Sequence, residues 1–399
     1  MIDPILYSLD VAPAAWILLG AAALCMLLTA LIWWPRLTRV TRRAHADSAS
    51  MADEAPTAFP PVSVIVYSQA DGHNLRTLLP QILGQDYPSP FEVIVVNDES
   101  SDNTETIVNE LELKHPNLYM TFAPERARNL SRRKLSITLG IKAARYDALL
   151  HTCGNCRVES PLWMRAMMRH FAAGKEVVIG YAEPTGEDLA DTDRRPRRRA
   201  FDFMWQAVRG LSSAIAGRPF MGTGYNLAYS RRLFFSHKGF SRTLNLNYGD
   251  DDIFIREIAT RANTAVELSA EARVRAVEYS PAELHDIYRM RRDFTARYLP
   301  RRSYRALGIS SLLWWLWPPV AVAAGLLGWP SLVPAAAALL LALTFCIIHM
   351  VLWRRCSVAL GLRPLRLTVP WLALTRPFRT LRHRLRGRRH RTANFTHLV

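Results

Sequence analysis

The chain has 399 residues, half of them hydrophobic and 21% charged, which excludes a disordered, collagen-like or low-complexity protein and leaves room for a large core. Five cysteines over this length make no disulfide framework, and Cys25 and Cys346 lie inside long apolar runs, so a reducing compartment is the simpler reading. The net charge of +17 is carried by one end: sixteen arginines and no carboxylate follow Asp293, which leaves residues 1–293 at +1. Those arginines flank apolar runs and fit anionic lipid headgroups, whereas a nucleic-acid-binding face would interleave them with aromatics; no nucleic-acid partner is expected.

From Val11 to Trp34 no charged residue occurs. Helical, these 24 residues span roughly 36 Å at about 1.5 Å per residue, enough for a hydrocarbon core of about 30 Å. A cleaved signal peptide fits poorly, because Met1-Ile2-Asp3-Pro4 offers no basic start and the run is too long. Residues 1–34 therefore form an N-terminal transmembrane segment and residues 35–60 a basic and polar linker, small and proline-bearing from Ala44 to Pro60.

Val62–Tyr67 reads as a buried strand, and Asn74–Leu83 as a helix with Leu75, Leu78, Leu79 and Ile82 on one face. Phe91–Val96 is a second strand, ending in the polar loop Asn97–Thr104 before a helix over Glu105–Leu113. The alternation predicts an α/β domain over residues 61–300, with a mainly parallel sheet flanked by helices. Ligands of such sheets sit beyond the carboxyl ends of the strands, so Ser68–Asp71 and Asn97–Asp102 are expected to face one crevice, although the same residues would serve as plain helix caps.

A second uncharged stretch, Ala306–Trp353, holds 48 residues and reads as two spans turning at Gly328–Ser331, with Trp314, Trp315, Trp317, Trp329 and Trp353 near the ends. Arginines at 36, 39, 42 and 43, at 297, 301, 302 and 305, and at 354 and 355 put all three flanks on the cytoplasmic side. The N-terminus is then outside and the α/β domain inside. In the tail, residues 354–399, a moderately apolar stretch Cys356–Thr375 precedes eight arginines within Arg376–Arg391. It lies in the headgroup layer or forms a solvated basic tail.

Five segments in order resemble the family 2 glycosyltransferases of the GT-A fold. They are Pro61–Val66 with Gln85-Asp86-Tyr87-Pro88, Glu92–Thr104, Arg133–Ala144, Gly222–Tyr229, and Gly249-Asp250-Asp251-Asp252. One span before the domain and two after also resemble the membrane-bound members. The resemblance implies a nucleotide-sugar donor at the carboxyl edge of the sheet and an acceptor hydroxyl that attacks the anomeric carbon. By position it gives Asp98 to the nucleoside, Ser68 and Asp71 to the base pocket, and Lys134 to the neighbourhood of the donor. It also implies Mg²⁺ or Mn²⁺, held by an Asp-x-Asp after the strand Tyr146–Leu150.

Here that motif is Cys153-Gly154-Asn155. A neutral thiol and a carboxamide offer little to hard cations, so metal dependence is open, and Asp250 and Asp251 are alternative ligands. Cys153-x-x-Cys156 lacks the second pair that zinc would need. The triple carboxylate is the candidate for chemistry: adjacent like charges raise each other's proton affinity, which suits a general base near neutral pH. Family position gives Asp251 that role, with Asp250 and Asp252 orienting it, holding metal or capping the helix Ile253–Arg261. Processive synthases of the family carry Gln-x-x-Arg-Trp before their membrane helices. Arg289–Asp293 keeps only the arginine, Arg292, which suits a donor phosphate and also a juxtamembrane basic helix. The expected protein is an inverting, non-processive enzyme of a bacterial inner membrane, acting on a lipid-linked or envelope glycan acceptor. Its rivals are a non-catalytic relative that binds a partner or nucleotide, and a basic membrane tether with an α/β scaffold.

Overall fold

The computed structural model describes residues 11–53, 58–69, 71–98, 102–123, 130–186, 196–278, 289–362, 365 and 367–394. Glu99, Ser100 and Ser101 of the acidic-loop motif, and Arg363 and Arg366 of the tail, lie outside them. The chain divides into two units, one built mainly from Arg42–Leu299 and the other from Met1–Thr41, Pro300–Ala359 and Arg363–Leu385.

In the first unit the expected α/β sheet is present. Seven strands run in the order β3-β2-β1-β4-β8-β6-β9. They are β1 (Val62–Ser68), β2 (Phe91–Asn97), β3 (Leu118–Phe122), β4 (Ala148–Cys153), β6 (Val177–Ile179), β8 (Leu227–Ser230) and β9 (Thr264–Val266). Only β8 is antiparallel to its neighbours, β4 and β6. A smaller sheet sets β10 (Val274–Glu278) between β5 (Cys156–Arg157) and β7 (Ala182–Gly186). Every residue of β1 is buried, as a strand covered on both faces requires, and this is why its sequence is mostly apolar; the polar Ser63 within it donates to Glu92 of β2 at 2.6 Å.

Helix α2 (Gly72–Leu83) buries the four predicted residues Leu75, Leu78, Leu79 and Ile82, each burial worth roughly 1.5–3 kcal/mol. Helix α3 (Thr104–Glu112) follows β2. Helix α4 (Arg132–Ala143) lies close on the sheet because Gly140 has no side chain: a Cβ there would stand 2.6 Å from Val96 and 3.0 Å from Ile65. Register pairs Ser68 with Asn97 and Tyr67 with Cys153, so the carboxyl ends of β1, β2 and β4 finish level.

The stretch 44–60, expected as a linker, is helical as far as Asp53, at the end of a 41-residue helix α1 (Pro13–Asp53). It has few large apolar side chains, and polar contacts hold it instead. Arg43 pairs with Asp47 at 2.8 Å, the Leu268 amide donates to Asp47 at 3.0 Å, and Arg169 donates to Ser50 at 2.7 Å.

Among the described residues three helices are long and apolar enough to cross a membrane: Pro13–Met51, Tyr304–Leu327 and Val333–Ala359. Small residues let them approach: Ala22, Ala321, Ala324 and Ala338 share one buried cluster with Leu19. Trp33 donates to Ser310 at 3.1 Å and Trp315 to the Leu374 carbonyl at 2.7 Å. Outward-facing Ile17, Leu24, Leu31, Leu340 and Ile347 are exposed, as lipid-facing side chains are. The tail holds a helix over Val369–Asn394.

Candidate active site

Three cations open helix α4. Ser131 caps it, and Arg132, Arg133 and Lys134 fill its first turn, where the helix dipole disfavours positive charge. Each is held by an acceptor from elsewhere. Arg132 pairs with Asp98 at 3.0 Å, Arg133 with Asp250 at 2.7 Å, and the Lys134 ammonium donates to the carbonyls of Thr243 at 2.6 Å and Tyr248 at 3.0 Å. Lys134 is fully buried, and that burial brings its pKa down to about 8. Its partners are thus the loop before the acidic run.

The three aspartates differ sharply in their surroundings. Asp250 accepts from Arg133 on one oxygen and from Arg291, at 3.3 Å, on the other. Burial would raise its pKa, but the two guanidiniums hold the carboxyl well below the usual range. Asp252 pairs with Arg292 and accepts from Thr295 at 3.0 Å. Burial dominates there and lifts its pKa to about 6. Asp251 caps the helix Asp252–Ile258 through its own next amide at 2.7 Å. Among the described residues its other oxygen meets the Gly224 amide at 3.4 Å and Arg291 at 4.0 Å. The Asp251 side chain is 11% exposed, against 1% for Asp250 and 2% for Asp252.

The expected crevice residues gather at the sheet edge. The Ser68 carbonyl accepts from the Asp98 amide at 2.9 Å, and the Asp98 carboxylate accepts from the Tyr67 hydroxyl at 2.7 Å. Asp102 accepts from the Gly72 amide at 2.7 Å, joining the loops after β1 and β2. Asp71 lies against Gly154, where a Cβ would come within 2.8 Å of its side chain, and burial raises its pKa to about 6. The Asn155 carbonyl accepts from the Val277 amide at 2.7 Å, tying this turn to the smaller sheet. Arg292, besides Asp252, reaches the Gly222 carbonyl at 3.4 Å.

Cys153 is buried, and burial pushes its thiol pKa up although Arg133 donates to its sulfur at 3.2 Å. The position that would hold a hard cation thus offers a neutral thiol with a guanidinium against it. Asp250, the alternative ligand, is already matched by two arginines. Among the described residues no group of three or more His, Cys, Asp or Glu is placed to hold a metal ion. These donors do not fit Mg²⁺ or Mn²⁺. His151, two residues before, stacks on Tyr229 at 4.4 Å, and burial drives its pKa down to about 3.

Two residues that sequence reasoning passed over stand at the centre of this cluster: Arg133 and Arg291, each one position from a residue it had singled out. The signal for Arg133 was the run of three cations at a helix start. Nothing comparable marked Arg291 within its basic segment.

Residues 62–235 match the family described as glycosyl transferase family 2. No curated protein matches the chain in sequence. Among solved structures, the mannosyltransferase PcManGT from Pyrobaculum calidifontis, in complex with GDP-Man and Mn²⁺, covers 89% of this chain and 97% of its own, at 20% identity and a TM-score of 0.50. TarS from S. aureus covers 63% of this chain and 42% of its own, at 17% identity and a TM-score of 0.39. Glucosyl-3-phosphoglycerate synthase from Mycobacterium tuberculosis, with Mn²⁺, UDP and glucosyl-3-phosphoglycerate, covers 62% and 80% at 13% identity and 0.38. The first of these shows the shared GT-A-type fold.

Proposed function

We propose, for a chain whose residues 62–235 carry a family 2 glycosyltransferase sequence, that the protein is a membrane-anchored inverting glycosyltransferase. It moves one sugar per event from a nucleotide-sugar donor to a lipid-linked or envelope glycan acceptor at the cytoplasmic face. Residues 61–300 are the catalytic domain, residues 1–34 and 306–353 the anchors, and the basic tail 354–399 meets anionic headgroups of a bacterial inner membrane. Asp98, Ser68 and Asp71 contact the nucleoside, with Asn155 on the turn beside Asp71.

The observation that carries the reading is the unequal commitment of the aspartates. Asp250 and Asp252 are both closely ion-paired and nearly closed off, while Asp251 keeps an oxygen with a long amide contact at 3.4 Å, a guanidinium no nearer than 4.0 Å, and greater exposure. A hydroxyl that attacks an anomeric carbon loses its proton as it does so, and a carboxylate within about 3 Å can take it. Direct displacement needs no enzymic nucleophile; it needs that base, alignment of donor and acceptor, and fixed positive charge at the departing diphosphate. Asp252 and Arg292 hold each other and position the helix that carries Asp251.

The test is a donor-hydrolysis and transfer screen of the detergent-purified protein across nucleotide sugars. Turnover with one donor, lost in Asp251→Asn while nucleotide affinity stays, is the expected result. Nucleotide binding without turnover for any donor would instead support a non-catalytic relative, the reading that the Cys153 replacement favours.

A further inference from the structure

Resting on the reading of this crevice as a nucleotide-sugar site, we propose that Arg133 and Arg291 form the clamp for the donor diphosphate, in the place and with the charge of a divalent cation. Four observations lead there. The first is position: the Arg133 guanidinium touches the Cys153 sulfur at 3.2 Å, so it occupies the face of the turn that lacks its two carboxylates. The second is charge. Two guanidiniums set against Asp250 and Asp251 sum to zero, as a divalent ion between two carboxylates does.

The third is accessibility. Asp250 is 1% exposed beneath the pair, but the Arg133 and Arg291 side chains are 19% and 18% exposed, so the cations lean outward over a buried anion. Arg133 spends one contact on a thiol, a weak acceptor that a phosphate oxygen would readily replace. The fourth is fixed orientation. Arg133 lies 4.3 Å over the Tyr67 ring and Arg291 5.5 Å over the Tyr248 ring, which sets two planar forks before any ligand arrives. The facing loop is bare at Gly224, where a Cβ would stand 3.2 Å from Arg133 and 3.5 Å from Asp250. A polyanion entering over this face meets the guanidiniums before the buried carboxylate beneath them.

The experiment is calorimetry on the full-length detergent-purified protein with UDP, GDP, UMP and GMP, each in EDTA and in Mn²⁺. The diphosphate of one base is expected to bind more tightly than its monophosphate in EDTA, with Mn²⁺ altering affinity by less than about threefold. Arg133→Met and Arg291→Met should each cut diphosphate affinity roughly 10–100-fold, the size of a charge-assisted hydrogen bond, and monophosphate affinity far less. Because Arg133→Met strips Asp250 of a partner, the double variant Arg133→Met/Asp250→Asn removes the pair together. It should show the same diphosphate loss with monophosphate binding retained, which a folding defect would not give. Diphosphate binding that disappears in EDTA and returns with Mn²⁺ overturns the clamp while leaving the glycosyltransferase reading in place, as does an unchanged diphosphate-to-monophosphate ratio in the variants. Failure of all four nucleotides to bind in either buffer overturns that reading, and the clamp with it.

Discussion

Two buried charge clusters of the α/β unit are near mirror images. Around Asp250 one carboxylate faces two guanidiniums; around Arg169 one guanidinium faces two carboxylates, Glu267 at 2.6 Å and Asp47 at 3.4 Å. The Arg169 cluster is finished by groups of the chain itself. The amides of Ser269 and Leu268 donate to Glu267 and Asp47, His170 meets Glu267 at 2.8 Å, and Arg43 covers Asp47. Burial alone would raise the pKa of Glu267, yet its hydrogen bond with His170 and the charge of Arg169 bring it down. Among the described residues the Asp250 cluster draws in Asp251, 4.0 Å from Arg291, and the Cys153 sulfur, 3.2 Å from Arg133, and its cations stand outermost. A closed set of charges holds a fold together, whereas a set whose exposed side is cationic is open to an anion.

The sharpest break of that comparison is Asp251→Asn. Loss of a general base commonly costs about 10²–10⁴ in rate, and turnover should fall by that much while nucleotide affinity by calorimetry moves little. Asp252 does not cap the helix, a role that Asp251 takes; it is the partner of buried Arg292. Asp252→Asn should therefore cost about 3–5 kcal/mol of stability by thermal or denaturant unfolding, because it strands a charge. Glu267→Gln probes the closed cluster in the same way: a stability loss of about 3–5 kcal/mol with UDP and GDP affinities unchanged. A nucleotide-binding defect there, in protein shown to be folded, would erase the distinction between the two clusters.

A smaller effect concerns pH. Burial raises Asp71 to about 6 from 3.8, so the folded state holds its proton more tightly than the unfolded chain does. Stability from this group is full below about pH 4 and is lost as pH rises through about 6. Asp252 adds a contribution of the same sign. The thermal midpoint in detergent should fall over that window, and Asp71→Asn should flatten part of the fall. Smallest is Cys153→Asp, which hands Arg133 a second carboxylate; UDP or GDP binding in EDTA should weaken a few-fold. Adding Asn155→Asp should make that binding respond to Mn²⁺, again by calorimetry.

Most of the fold is legible in the chain. Strands buried on both faces are mostly apolar, and Val64–Tyr67 and Val93–Val96 supply such runs; the spacing of Leu75, Leu78, Leu79 and Ile82 does the same for a helix. Residues 44–53 resist such reading because their helix depends on distant groups, the Leu268 amide and Arg169, which local composition does not announce. The acidic run Asp250–Asp252 stands out in the sequence, but its division of labour depends on which arginine each residue meets. Those arginines come from chain segments 117 residues before, and 41 and 40 residues after, their partners.

The stacking of His151 on Tyr229 bears on how a rate profile should be interpreted. A histidine next to the crevice would ordinarily be credited with any inflection near pH 6, yet this ring stays neutral far below that and has no proton to exchange there. The groups poised at about 6 are the carboxyls of Asp71 and Asp252. Carboxyl ionisation carries almost no heat, while imidazole ionisation carries a good deal. An activity inflection belonging to these aspartates should therefore stay in place as the assay is warmed, where one belonging to a histidine would drift downward.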